Sequence, residues 1–349
     1  MGMMRIPWLF TLAAAGLAIL AATRVIAGPE PTTNARLTIA SWNVENLFDA
    51  DDDPGNPGDD EYTPSGWTRW THRRYRHKLT NLAEIVAEIA PDILCLAEVE
   101  NRRVLDDLTR LLADRHGFHL PVVAHRDSGD SRGIDTAMLS RFEPTVVIWL
   151  KPLAIQRDMI VADFVIDGRP LTVIGNHWKS RYGPKAESDA VRELEARVLR
   201  AELDRRLKDD PAAALVVAGD FNDDIDNEIP LTHAGLALDA GSVLQDGRLL
   251  FNLSSSLPPA ERGSYYYSRS RRWNSFDMIA VSRGMLTNGL PASPWLVHPA
   301  TFRIHAPSKM RQEHGAPNPF RRVRTREGWR SYTGYSDHFP VVVTVEERP

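Results

Sequence analysis

The clearest pattern along the chain is a set of short apolar runs that each end in polar residues. Ala214 to Gly219 reads Ala-Leu-Val-Val-Ala-Gly, a continuous apolar stretch that predicts a buried strand, and it delivers Asp220 and Asn222 at its carboxyl end. Gly219 permits a tight turn, so Asp220 and Asn222, two apart, can point together while Phe221 returns to the core. Leu37 to Trp42 alternates as a first strand and is followed by Asn43, Glu45 and Asn46, while Ile93 to Ala97 is a second buried strand that delivers Glu98 and then Glu100. Ile134–Ser140, Thr145–Leu150, Met159–Ile166 and Leu171–Gly175 predict a run of antiparallel hairpins, the last strand ending in Asn176-His177-Trp178-Lys179.

Helical spacing appears in three places. Leu79, Leu82, Ile85, Val86 and Ile89 predict a helix that begins in the basic run Arg69–Lys78 and ends before Pro91; Asn101–Arg115 and the charge-rich stretch Ala186–Leu207 predict two more. Glu98 or Glu100 is a candidate cap for the second helix. Beyond Asp223 the pattern weakens until Ser275–Ser282, a strand with one acid, Asp277, on an otherwise apolar run; a buried acid there needs a partner. Ser336-Asp337-His338-Phe339-Pro340 then leads into a final strand, Val341–Val345. Helices alternating with such strands give an α/β fold.

Composition changes this picture little. The chain has 349 residues, 43% hydrophobic and 25% charged, enough for a large core in one domain or two. A formal net charge of -4 excludes a global field drawing the protein onto nucleic acid or an anionic membrane, so any anion binding is local. Cys95, the single cysteine, lies inside an apolar run and reads as a small buried hydrophobe; no intrachain disulfide can form. Residues 1–27 read as an export signal, with Arg5 ahead of the apolar stretch Ile6–Ala22 and a Val-x-Ala cleavage site ending at Ala27; an uncleaved anchor is the competing reading. Residues 28–35 read as a linker and 36–349 as the globular domain.

Local chemistry is carried by a few segments. Asp49–Glu61 is an acidic loop in which Asp49, Asp51 and Asp53 have the spacing of an EF-hand, but Pro54 stands where that loop needs Gly, so a solvated loop is expected. The polar loop Asp127–Gly133 contributes Arg132 as a candidate substrate contact. Gly263–Trp273, with Tyr265 to Tyr267 and Arg269, Arg271 and Arg272, mixes rings and cations in the way that suits stacking on bases and gripping phosphates; Tyr266, Arg271 and Arg272 are the candidates there, a solvated loop the alternative. Arg321–Arg330 is a further basic run.

Taken in order, Asn-Val-Glu-Asn-Leu-Phe-Asp, Leu-Ala-Glu-Val-Glu, Gly-Asn-His-Trp, Gly-Asp-Phe-Asn, Phe-Asp-Met-Ile and Ser-Asp-His-Phe-Pro resemble the motifs of the endonuclease/exonuclease/phosphatase superfamily, the deoxyribonuclease I-like fold, from about Leu37 to Val345. The opening motif, the acidic loop and Glu261–Ser275 look most like its secreted bacterial members, the extracellular nucleases. The resemblance implies a four-layer α/β sandwich of two mixed sheets with helices outside. It also implies a Mg²⁺-dependent phosphodiesterase, with Mn²⁺ or Ca²⁺ as other candidate ions, Glu98 as the main ligand and Asn43 and Asp337 close by. Asp220 would deprotonate the attacking water, Asn222 and His177 would hold phosphoryl oxygens, and His338, oriented by Asp277, would stabilise the phosphorane. Ala97 stands where many members carry Gln. The expected substrate is DNA or RNA, with no obligate protein partner; a lipid phosphoester, as for phosphoinositide phosphatases and sphingomyelinases, is the alternative, and a non-catalytic binding protein on the same fold the third reading.

Overall fold

Each buried run supplies two faces, and that is what stacks the layers. In Ile93–Leu96 and Leu215–Ala218 every residue is buried, yet neighbours point to opposite sides of their sheet, so one strand feeds two cores. The computed structural model describes residues 35–325 and 328–349. The expected signal or anchor, residues 28–34 of the linker and part of the basic run Arg321–Arg330 lie outside them. Residues Asn34–Pro349 form a compact unit.

In chain order the elements are β1 (Arg36–Leu47), α1 (His72–Ile89), β2 (Ile93–Val99), α2 (Arg102–His116), β3 (Val122–Ala124), β4 (Asp135–Ser140), β5 (Val146–Leu150), β6 (Met159–Ile166), β7 (Arg169–His177), α3 (Lys185–Asp209) and β8 (Leu215–Asp220). They continue with β9 (Leu236–Ala237), α4 (Ala240–Gln245), β10 (Leu250–Asn252), β11 (Tyr265–Tyr267), β12 (Arg272–Asn274), β13 (Asp277–Ser282), β14 (Trp295–Val297), β15 (Arg303–Ile304), β16 (Arg321–Thr325), β17 (Gly328–Thr333) and β18 (Val341–Glu347). One seven-stranded sheet runs β14-β18-β1-β2-β4-β3 with β15 also on β18; the other runs β5-β6-β7-β8-β13-β10-β9. Both are mixed: β1–β2 and β7–β8 are parallel, joined through α1 and α3, and most other pairs are antiparallel.

Three cores separate four layers. Leu82, Val86, Leu105 and Leu108 of α1 and α2 pack on Ala40, Trp42 and Leu94; Ile39, Cys95, Val216, Ile279 and Val343 meet between the sheets; and Leu199 and Leu203 of α3 pack on Leu215, Val217 and Met278. This is the four-layer sandwich expected. Cys95 is buried between the sheets, as its run implies.

Several expectations need correction. β4 is not part of the hairpin run: it pairs with β2 and β3 in the first sheet, and the chain crosses to the second sheet before β5. Of the four strands expected in that run, β5, β6 and β7 are the consecutive antiparallel partners. β1 runs to Leu47 rather than Trp42, because pairing with β2 resumes at Leu47↔Val99 after a bulge. Neither Glu98 nor Glu100 caps α2; Asn101 does, its side-chain oxygen accepting the Val104 N–H at 3.1 Å. The Asp49–Glu61 loop is not wholly solvated: Asp49 and Asp59 are buried, and Asp59 accepts the Asp53 N–H at 2.8 Å. Gly263–Trp273 contains the hairpin β11–β12 instead of an open loop. Of the Arg69–Lys78 run, Trp70, Tyr75 and Lys78 face inward.

Candidate active site

The parallel pairs β1–β2 and β7–β8 place their carboxyl ends at one end of the sandwich, and the antiparallel strands β13 and β18 bring their amino ends to the same place. Asp277 therefore sits at a strand end as well, the first residue of β13 and directly opposite Asp220 of β8. Gly219 lets β8 lie close against β7: a Cβ there would lie 2.1 Å from the Asn176 carbonyl oxygen.

His338 Nδ1 and Asp277 Oδ2 are 2.8 Å apart, both side chains buried, and His338 Nε2 lies 3.9 Å from Asp220 Oδ2. Burial alone would lower the pKa of His338, but Asp277 and then Asp220 outweigh it and raise it well above the ordinary imidazole value. Asp220 is pushed up to about 7 by burial, against the pull of His338 and with a contribution from Asp277. Its Oδ1 accepts the Asn222 N–H at 2.8 Å and its Oδ2 accepts from Asn43 Nδ2 at 2.9 Å. His177 Nε2 stands 3.8 Å from Asp220 Oδ2 and 4.0 Å from Glu98 Oε1. Burial first, then the charges of Arg157 and Arg132, hold His177 well below its usual pKa, so it is a neutral donor.

Glu98 accepts the Asn46 N–H at 2.9 Å and lies 3.6 Å from the Arg132 guanidinium. Burial would raise its pKa, but Arg132 and His338 hold it below the usual carboxylate value. Partial enclosure and the neighbouring Glu98 raise Asp337, whose side chain is 40% exposed, and burial and Asp337 push Glu45 up to about 8. Three carboxylates that crowd one another in this way, two of them held toward the neutral form, fit a divalent cation with oxygen ligands. The group Asp220, Asp277 and His338 is also compact enough for an ion, but His338 Nδ1 is already bonded to Asp277.

The structure brings together Asn43, Glu98, His177, Asp220, Asn222, Asp277, Asp337, His338 and Arg132. Two of them are already engaged. The amide of Asn222 donates to the Trp178 carbonyl oxygen at 3.0 Å and to Asp220 Oδ2 at 3.3 Å, so here it orients Asp220 and offers no N–H outward. Asn43 Oδ1 accepts the Glu45 N–H at 3.0 Å. In the hairpin, Tyr265 meets the site, its ring 4.7 Å from that of His338; Tyr266 packs instead on Trp273 and His314. Strand alternation sets Arg272 on the Tyr265 face, opposite Tyr267, while Arg271 is at the exposed turn.

Sequence reasoning missed the residues that hold these groups. Arg157, buried, bonds Asp130 at 2.6 Å, the Trp178 carbonyl at 2.8 Å and the His177 carbonyl at 3.3 Å, tying the Arg132 loop to the end of β7. His125 and the Ser128 N–H fix Asp135 at the base of the same loop, at 3.2 and 2.9 Å. Trp42 Nε1 donates to the His338 carbonyl at 3.0 Å, Ser336 Oγ to the Asn43 carbonyl at 2.7 Å, and Ser264 Oγ accepts the Asp277 N–H at 3.1 Å. Only Ser336 had a signal, its place inside the Ser-Asp-His motif.

The sequence model described as Endonuclease/Exonuclease/phosphatase family matches residues 38–347, nearly the whole described domain. The chain belongs to this family. Members of the endonuclease/exonuclease/phosphatase family are hydrolases of phosphoester bonds and typically depend on a divalent metal ion. Comparison with curated proteins gave no significant match. Among solved structures, a family protein from Bacteroides thetaiotaomicron is similar at a TM-score of 0.55 and 16% identity, over 90% of this chain and 96% of that one. A D. rerio TDP2 complexed with single strand DNA product is similar at 0.53 and 17%, over 89% and 99%. A mannosyl-6-phosphatase from Bacteroides thetaiotaomicron is similar at 0.53 and 18%, over 88% and 99%. At these identities the likeness is one of fold.

Proposed function

We propose that the protein is an exported, divalent-metal-dependent phosphodiesterase that hydrolyses DNA or RNA by in-line attack of water. The observation that carries the reading is the buried Asp277–His338 pair standing 3.9 Å from an Asp220 whose pKa is about 7, beside the carboxylates of Glu98 and Asp337. Asp220, tuned near neutrality, is suited to take the proton of the attacking water. His177 donates Nε2–H to a phosphoryl oxygen without adding charge, and His338, kept protonated by Asp277, places its Nε2–H where negative charge develops. A divalent cation at Glu98 and Asp337 would neutralise phosphate charge and assist the leaving oxygen.

Nucleic acid is favoured by the exposed Arg271 and Arg272 of the hairpin whose Tyr265 meets His338, and by the single strand DNA product in the D. rerio relative of the same fold. Purified protein with Mg²⁺ should cleave plasmid or single-stranded nucleic acid, with affinity falling steeply as salt rises, because a polymer releases counterions when it binds several cations. Replacing Arg271 and Arg272 by Ala should raise KM for nucleic acid, flatten the salt slope and spare a small chromogenic diester. Activity on phosphoinositide or sphingomyelin alone would overturn the substrate assignment. Intact mass of protein recovered from periplasm or medium, lacking residues 1–27, checks export.

A further inference from the structure

In the bulge of β1 between Asn43 and Leu47, Glu45 and Asn46 are consecutive left-handed residues, φ 54° and 56°, neither of them glycine. Such backbone is strained and persists where surrounding contacts enforce it. Here Glu45 Oε2 accepts the Phe320 N–H at 2.8 Å and the Asn46 N–H holds Glu98 at 2.9 Å. Beyond this bulge lies a cavity of about 310 Å³ bounded by Glu45, Asn46, Trp67, Trp70, Phe320 and Tyr332. Asn46 thus lines the cavity and anchors the proposed metal carboxylate at once.

The cavity is built before any ligand arrives. Trp70 meets Phe320 and Tyr332 edge-on, with ring centres 5.7 and 5.6 Å apart, and its Nε1 donates to the Phe48 carbonyl at 3.0 Å; Tyr332 donates to the Thr68 carbonyl at 2.7 Å. Trp67, at the mouth, is 78% exposed with its indole N–H bonded to Glu61. An indole so exposed, with its polar atom already satisfied, offers a flat apolar face to stack on. The inner rings already carry cations: Arg74 lies 4.5 Å over Tyr332 and Lys78 5.4 Å over Phe320, with Arg321 also in the wall. A quaternary ammonium is held by several open π faces converging on it, and Arg74 and Lys78 already occupy Tyr332 and Phe320, which leaves the face of Trp67. A neutral planar ring needs one such face.

We propose that this cavity receives the nucleobase next to the scissile phosphodiester, stacked on Trp67. The inference rests on the nucleic-acid reading above. It is tested with single-stranded oligonucleotides holding one cleavable phosphodiester, with a natural base or an abasic residue on either side. Loss of the base on one side should raise the wild-type KM by roughly 10-fold, within the range of one stacked base. Trp67→Ala should raise KM for the intact oligonucleotide by a similar factor and leave the abasic one unchanged, and Trp67→Phe should restore most of the loss. Independently of turnover, AMP should quench tryptophan fluorescence in the wild type and not in Trp67→Phe, whereas phosphocholine and inorganic phosphate should not quench. Equal losses on intact and abasic substrates, no loss on either, or quenching by phosphocholine alone would overturn the base subsite while leaving observed nuclease activity standing. Failure to cleave any oligonucleotide would refute the nucleic-acid reading, and this subsite with it.

Discussion

Asp277→Asn isolates one interaction at the centre of the site. At 2.8 Å from His338, with both groups buried, the carboxylate and a protonated imidazole attract by about 6 kcal/mol at an effective dielectric of 20. Asp220, 3.9 Å away on the other side, remains and recovers part of this. The amide either presents its nitrogen to Nδ1 and selects the wrong tautomer, or presents its oxygen without the charge. The expected loss in kcat on a chromogenic phosphodiester is therefore about a hundred- to ten-thousand-fold, roughly 3–5 kcal/mol, with the melting temperature little changed. The pH profile carries a second signature. In the wild type, activity should rise as Asp220 ionises near pH 7 and fall where His338, raised well above its usual value, loses its proton. Asp277 raises both groups, so in the variant both limbs should move to lower pH. Asp277→Asn combined with His338→Ala should be little worse than His338→Ala alone. Unmoved limbs together with multiplying losses would show that the two residues act independently and that the pair is structural.

Glu98→Gln should weaken Mg²⁺ binding by at least about 10-fold in a calorimetric titration, with activity partly returning at high Mg²⁺; a wild type indifferent to chelator would refute the metal assignment. Glu100 is pushed up to about 8 by burial, against the hydrogen bond from the Asp49 N–H and helped by the charges of Asp49 and Asp59, so its protonated form suits the fold: the contribution is fully present below the unfolded value near 4.5 and is lost as pH rises through about 8. The melting temperature should accordingly decline over that window, and Glu100→Gln should flatten the decline; an unchanged slope would place the pH dependence elsewhere.

Much of the fold was legible because buried strands and amphipathic helices leave periodic traces. β8 and α1 announce themselves in Leu215–Ala218 and in Leu79 to Ile89. The strands β9, β10, β14 and β15 do not, since two or three residues carry no period and are held by neighbours already in the sheet. In the site, residues within ordered motifs could be picked out, Asp220 and His338 among them. Arg157 could not: it stands ahead of an apolar strand like any surface arginine, and its burial follows from three partners supplied by Asp130, His177 and Trp178. Likewise Asn46 tolerates left-handed backbone, but Glu45 carries no sign of it, and the conformation of the pair is held by Glu98 and Phe320 from distant parts of the chain.

β18 lies between β14 and β1, and Trp42 grips the backbone of His338 from 296 positions away. Strand β1 therefore waits for nearly the whole domain to be synthesised before its outer edge is paired. Until then the first sheet presents an open, apolar margin, and contacts of such long sequence separation slow the final closure. The same order of events governs the site: Asp337 and His338 arrive with the closing strand, so no emerging fragment holds all of its residues.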